Sequence, residues 1–104
     1  MNKLIMGRVD VNVTQNDINI GIPGDCSSCA MAIAVARTLG ADLVNIGDSW
    51  SEVVIRENGT AIEYSYSNSG EMHDFIKQFD SDDEENLPEI GRYPMEYVNF
   101  TILK

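Results

Sequence analysis

The first regular pattern along the chain is Val9-Asp10-Val11-Asn12-Val13-Thr14, where apolar and polar residues alternate without a break. A period of two puts the valines on one side and Asp10, Asn12 and Thr14 on the other, as in a strand with one buried face. Residues 15–25 are rich in Asn, Asp, Gly and Pro and read as an irregular loop. Residues 29–36 are then eight consecutive apolar residues, four of them alanine. Alanine favours helix and has little strand preference, so the segment predicts a helix. Asp25, Ser27 or Ser28 could cap its start, and Gly40 stops it. Apolar all round and built of small side chains, this helix should pack tightly between other elements.

Three strand-like pieces follow, at 43–46, 52–56 and 60–66. Asn58-Gly59 between the last two is a strong hairpin signal, because both central residues of a type I′ turn need positive φ. Gly47-Asp48 should turn the chain between the first two. In the third piece Ile62, Tyr64 and Tyr66 share one face, with Glu63 and Ser65 on the other. A second helix is predicted from Gly70, with Met72, Phe75, Ile76 and Phe79 as its apolar stripe and Asn68 with Glu71 as a capping pair. After Pro88 and Pro94, residues 97–102 alternate again and predict a closing strand with Val98, Phe100 and Ile102 inward. The element order is β-α-β-β-β-α-β. One-sided alternation predicts an α+β domain of two layers: a mainly antiparallel sheet, one face wet, the other covered by two helices. The first and last strands are expected to be neighbours.

Composition narrows the function. A chain of 104 residues matches one domain, at roughly 100–150 residues each. Against 7 Lys+Arg stand 17 Asp+Glu, a net charge of −10. Direct binding to nucleic acid or to an anionic membrane needs clustered basic residues, so neither is expected. The opening apolar run, Leu4-Ile5-Met6, is too short for a signal peptide, and no stretch approaches a membrane span. The expectation is a cytoplasmic protein with reduced thiols, in which three Asn-x-Ser/Thr sequons carry no meaning.

Candidate chemistry is sparse. Cys26-Ser27-Ser28-Cys29 at a helix start would suit thiol exchange, since a helix N-terminus stabilises a thiolate. Asp25 next to it opposes that effect, and no strand-helix-strand context precedes it. Two cysteines and His73 leave a zinc site one ligand short, so Cys26 and Cys29 stand as the alternative metal or redox pair and no cofactor is expected. Asp80, Asp82 and Glu84 mimic the start of a calcium loop, but Glu85 and Gly91 occupy the positions that need glycine and glutamate. Gly21-Ile22-Pro23-Gly24 fits no phosphate-loop pattern, and His73 beside Asp74 has no serine partner in a recognisable motif. Trp50, Tyr64 and Tyr66 would be interface anchors if they lay on an exposed face. The remaining feature is charge: Asp80, Asp82, Asp83, Glu84, Glu85 and Glu89 place six acids in ten residues and leave the rest at −4. Such a run is either a solvated loop or a partner site for a basic groove.

The string Asp17-Ile18…Gly21…Gly24-Asp25-Cys26-Ser27-Ser28-Cys29-Ala30-Met31-Ala32-Ile33-Ala34 is followed by Phe75-Ile76-Lys77-Gln78-Phe79-Asp80 and Pro94-Met95-Glu96-Tyr97. Together these segments resemble a family of small bacteriophage and prophage proteins. Ala30 stands where that pattern has proline, and Met95 where it has phenylalanine. The resemblance brings no catalytic residues. It implies a small, non-enzymatic protein acting in the host cytoplasm by binding and disabling a basic host protein, such as restriction or CRISPR machinery, in the manner of a nucleic-acid mimic. The alternatives are a thiol or zinc protein using Cys26 and Cys29, and a phage accessory or structural component; a homodimer is compatible with each.

Overall fold

The computed structural model describes residues 6–81 and 88–103. Among them, five strands and three helices follow in the order β1 (Arg8–Val13), α1 (Gln15–Ile20), α2 (Ala30–Leu39), β2 (Leu43–Ile46), β3 (Trp50–Glu57), β4 (Thr60–Asn68), α3 (Gly70–Asp80) and β5 (Gly91–Leu103). All strand pairs are antiparallel, in the sheet order β1-β5-β4-β3-β2. The fold is α+β, and the first and last strands are neighbours, paired from Arg8↔Glu96 to Val13↔Gly91.

The expected alternation sets the core. Val9, Val11 and Val13 of β1, Val44 and Ile46 of β2, Val53 and Ile55 of β3, and Ile62, Tyr64 and Tyr66 of β4 are all buried. Burying a valine, leucine or phenylalanine is worth about 1.5–3 kcal/mol, so this face drives closure of the sheet onto the helices. Helix α2 packs against both β1 and β2, the two edges of the sheet, so the curled sheet wraps around it. Its Ala30, Met31, Ala32, Ala34 and Val35 are buried, which explains why the segment lacks a polar face. Helix α3 packs on β5, where the Phe75 ring meets Tyr93 edge-on at 4.9 Å between centroids. Tyr64 and Tyr66 lie in this core and are not surface anchors.

The turn chemistry follows the sequence. Asn58 and Gly59 both have positive φ, 49° and 81°, and close the β3–β4 hairpin. Gly40 ends α2 in the left-handed region at φ 64°, and its amide donates to the Ala36 carbonyl.

Four expectations are corrected. Residues 15–20 form a helix, α1, where a loop was expected: Thr14 and Asp17 make a reciprocal capping box that starts it. The cap of α2 is Cys29, whose sulfur accepts from the Ala32 amide at 3.4 Å, and not Asp25, Ser27 or Ser28. The cap of α3 is Ser69, accepting from the Met72 amide at 3.1 Å, because Asn68 is still the last residue of β4. Finally, β5 begins at Gly91, and Val98, Phe100 and Ile102 are exposed. A bulge accounts for Val98: Tyr66 faces Tyr97 while Ser65 faces Asn99, which leaves Val98 without a register partner. Phe100 and Ile102 lie in register with the buried Tyr64 and Ile62, as expected of inward residues, but stay exposed on the outer side of them.

Candidate functional site

The segment between α1 and α2 is fixed by contacts far apart in sequence. Arg37 on α2 grips Asp17 with two hydrogen bonds, to Oδ1 at 2.6 Å and to Oδ2 at 2.8 Å, and also donates to the Asn12 carbonyl at 2.7 Å. Asp17 is buried and accepts further from the Thr14 amide at 2.8 Å. Burial opposes its charge, but the Arg37 guanidinium and the Thr14 donors outweigh it and hold the carboxyl below its ordinary value. Gly21 closes α1 directly against the start of α2: a Cβ there would sit 2.5 Å from the Ala30 nitrogen. Gly24 has φ 79°, and its amide donates to Asp80 at the end of α3 at 2.9 Å. Thus Asp17, Gly21, Gly24 and Cys29, all in the motif-bearing string, have architectural roles.

That architecture opens a cleft at the start of α2, lined by Gly24, Asp25, Cys26, Cys29, Ile46, Gly47, Asp48, Ile76 and Asp80. Its lining includes three aspartates, from the α1–α2 loop, the β2–β3 turn and the end of α3, and no lysine, arginine or histidine among the described residues. Asp25 also accepts from the Ser27 amide at 2.9 Å, so its charge is held in place. On the β2–β3 turn, the Asn68 side-chain amide donates to the Gly47 carbonyl at 2.9 Å while its oxygen accepts from Ser51 at 2.6 Å. His73 Nδ1 lies 2.8 Å from the Asp48 carbonyl oxygen, which makes it a brace for the same turn.

Cys26 is exposed and Cys29 buried, and both are free thiols. Burial pushes the Cys29 thiol up; the Ala32 and Met31 amides pull it down, while Asp80 and Cys26 add to the rise. A nucleophilic role for Cys29 itself toward an outside substrate would need the opposite shift. Among the described residues, no three His, Cys, Asp or Glu side chains are grouped to hold a metal ion.

Of the six acids in the run, Asp80 reaches the cleft, whereas Glu89 is exposed outside its lining. Asp82, Asp83, Glu84 and Glu85 lie outside the described residues. Asp25 and Asp48 are members that the sequence reading missed; they lie 23 residues apart in the chain and share no motif with the run. A separate acidic pair, Glu52 and Glu63, sits on the wet face of the sheet. Burial, the Glu52 charge and a hydrogen bond with Glu52 raise the Glu63 carboxyl above its ordinary value.

No helix among the described residues is long and apolar enough to cross a membrane. The chain matches no protein-family model, no curated protein and no solved structure.

Proposed function

We propose that the protein is a non-enzymatic interaction protein that docks its acidic surface on a basic partner. The observation that carries this reading is the cleft: Asp25, Asp48 and Asp80 line it with no basic side chain among the described residues, and Asp80 begins the acidic run of the sequence. Carboxylates arranged along a surface can take the place of phosphates in a basic groove, speeding association and making affinity fall with salt. With the resemblance to bacteriophage and prophage proteins, the partner class is a host protein that handles nucleic acid, including restriction or CRISPR machinery, in the host cytoplasm. On this reading the protein acts as an inhibitor by nucleic-acid mimicry.

The test is capture from a bacterial lysate on the immobilised chain, followed by competition. A basic nucleic-acid-binding protein should be retained, released by short duplex DNA and weakened by salt. The variant Asp82→Lys, Asp83→Lys, Glu84→Lys, Glu85→Lys should lose the partner, and Asp48→Lys should weaken it. Capture that is indifferent to duplex DNA and to these changes would overturn mimicry.

A further inference from the structure

The two cysteines share the acidic cleft but differ in access. Cys26 is exposed, Cys29 is only 5% exposed, and both are free thiols on the cleft lining. The loop that carries them is held in place. The Asp25 carbonyl accepts from the Ser28 amide at 3.2 Å and from the Cys29 amide at 2.9 Å, which winds 25–29 into one helical turn. The Cys26 carbonyl accepts from the Ile46 amide of β2 at 2.9 Å, and the Ile22 amide donates to the Ser28 carbonyl at 2.8 Å. In a helical turn, Cα atoms three residues apart lie about 5 Å from each other. A disulfide spans Cα separations of about 4.4–6.8 Å, so the turn keeps the pair within bridging range.

We propose that Cys26 and Cys29 form a reversible disulfide, entered at Cys26 by a small, positively charged disulfide. Access sets the order of events. The Cys26 sulfur, as thiolate, attacks one sulfur of the oxidant; the oxidant's S–S bond breaks, and one half leaves as a thiol with the proton that Cys26 gave up. The Cys29 sulfur, as thiolate, then attacks the Cys26 sulfur of the mixed disulfide, and the second half leaves as a thiol with the Cys29 proton. Two protein thiols become one disulfide, and the small disulfide is reduced to two thiols. Burial slows Cys29 against free reagents, whereas a sulfur bonded to Cys26 is held beside it, and the encounter becomes an internal step. Charge selects the oxidant. Asp25, Asp48 and Asp80 line the cleft, and a cleft of one sign gathers the opposite charge and repels its own. The exchange goes beyond the partner proposed for this cleft and is read on the isolated chain, so either can fail without the other.

The test exposes the reduced full chain to cystamine, hydroxyethyl disulfide and oxidised glutathione, which are cationic, neutral and anionic, and follows acid-quenched samples by mass spectrometry. The product should be the parent mass less two hydrogens, with residues 26 and 29 bridged in one peptide, and dithiothreitol should reverse it. Each rate is divided by that of the same oxidant with a small neutral thiol, which removes the oxidant's own reactivity. At low salt this ratio should fall at least about tenfold from cystamine to oxidised glutathione, and salt should narrow the spread. Asp48→Asn, at an exposed position, should narrow it as well. Cys29→Ser should stop at a mixed disulfide on Cys26; serine is a favoured helix cap, so α2 keeps its start. Cys26→Ser should stay unmodified while folded. A mixed disulfide that persists on the unaltered chain, or bridges only between molecules, overturns the pairing. Equal normalised rates for the three oxidants overturn the charge selection.

Discussion

The α1–α2 junction and the last six residues of β5 lie at opposite ends of one strand. α1 starts beside the first residue of β5, where Val13 faces Gly91, and 98–103 lies at its last. The 13 residues of β5 reach at most about 40 Å at about 3.3 Å per residue. At the junction, polar groups are buried and matched: the Asp17 carboxylate takes two bonds from Arg37 and one from the Thr14 amide. At the far end, Val98, Phe100, Ile102 and Leu103 keep apolar side chains exposed. The first arrangement closes the chain on itself. The second leaves apolar surface at the rim of the sheet. The contrast teaches that an overall charge of −10 says little about any one surface: three aspartates line the cleft, while residues 97–103 of the longest strand carry no charge.

The largest expected effect lies at the junction. Arg37→Ala leaves the Asp17 carboxylate buried with the Thr14 amide still donating to it, and should cost on the order of 3 kcal/mol in urea unfolding. Arg37→Lys should recover part of this, since an ammonium cannot make the paired contact. The pH dependence carries the same signature. The folded Asp17 value lies below 3.8, so its contribution is fully present above that pH and is lost as pH falls through the folded value. An Arg37→Ala chain should lose that acid limb. If its urea midpoint stays at the wild-type value, the paired contact does not hold the junction.

A smaller loss is expected from Gly21→Ala, about 1–3 kcal/mol, because the added methyl meets the Ala30 backbone at 2.5 Å. Gly70→Ala is the control: nothing lies within 4 Å of its Cβ position and φ is not positive, so stability should be unchanged or rise by up to about 1 kcal/mol. Equal losses at the two positions would remove the claim that close approach at Gly21 builds the junction.

The smallest effect belongs to the wet face of the sheet. Glu63→Gln should stabilise at neutral pH by about 0.2–1 kcal/mol, by removing a like charge beside Glu52 on the neighbouring strand. The sign follows from the raised value. Below the ordinary value of 4.5 both states are protonated and the penalty is absent; it grows as pH rises through the folded value. Thermal melts of the variant and the parent should therefore converge in acid and separate toward neutral pH. A gain that is constant with pH would point to packing and not to charge.

Much of the fold was legible in local pattern. The valine alternation of β1, the Asn58-Gly59 turn, the alanine-rich α2 and the Phe75/Phe79 stripe of α3 each state their conformation within a few residues. Helix α1 was not legible, because residues 15–20 lack apolar periodicity; its signal was the three-residue spacing of Thr14 and Asp17. The cap of α3 moved by one residue because Asn68 pairs with Met95 in the sheet and spends its side chain on the Gly47 carbonyl and Ser51. Pro94 seemed to break the last strand. It is tolerated since β4 ends opposite Met95, so no bond from β4 requires an amide at residue 94.

By itself the sequence determined the side-chain period of each element, the hairpin, the stop of α2 and the acidity of the chain. These depend on neighbours within about one turn or one strand pair. Only the tertiary structure decided that Asp25 and Asp48 join Asp80 around one cleft, that Arg37 closes on Asp17, and that a bulge at Val98 turns the final strand's pattern. Each of those outcomes needs residues distant in sequence to meet. Period and propensity carry no information on such meetings, which are settled by how the curled sheet closes around α2.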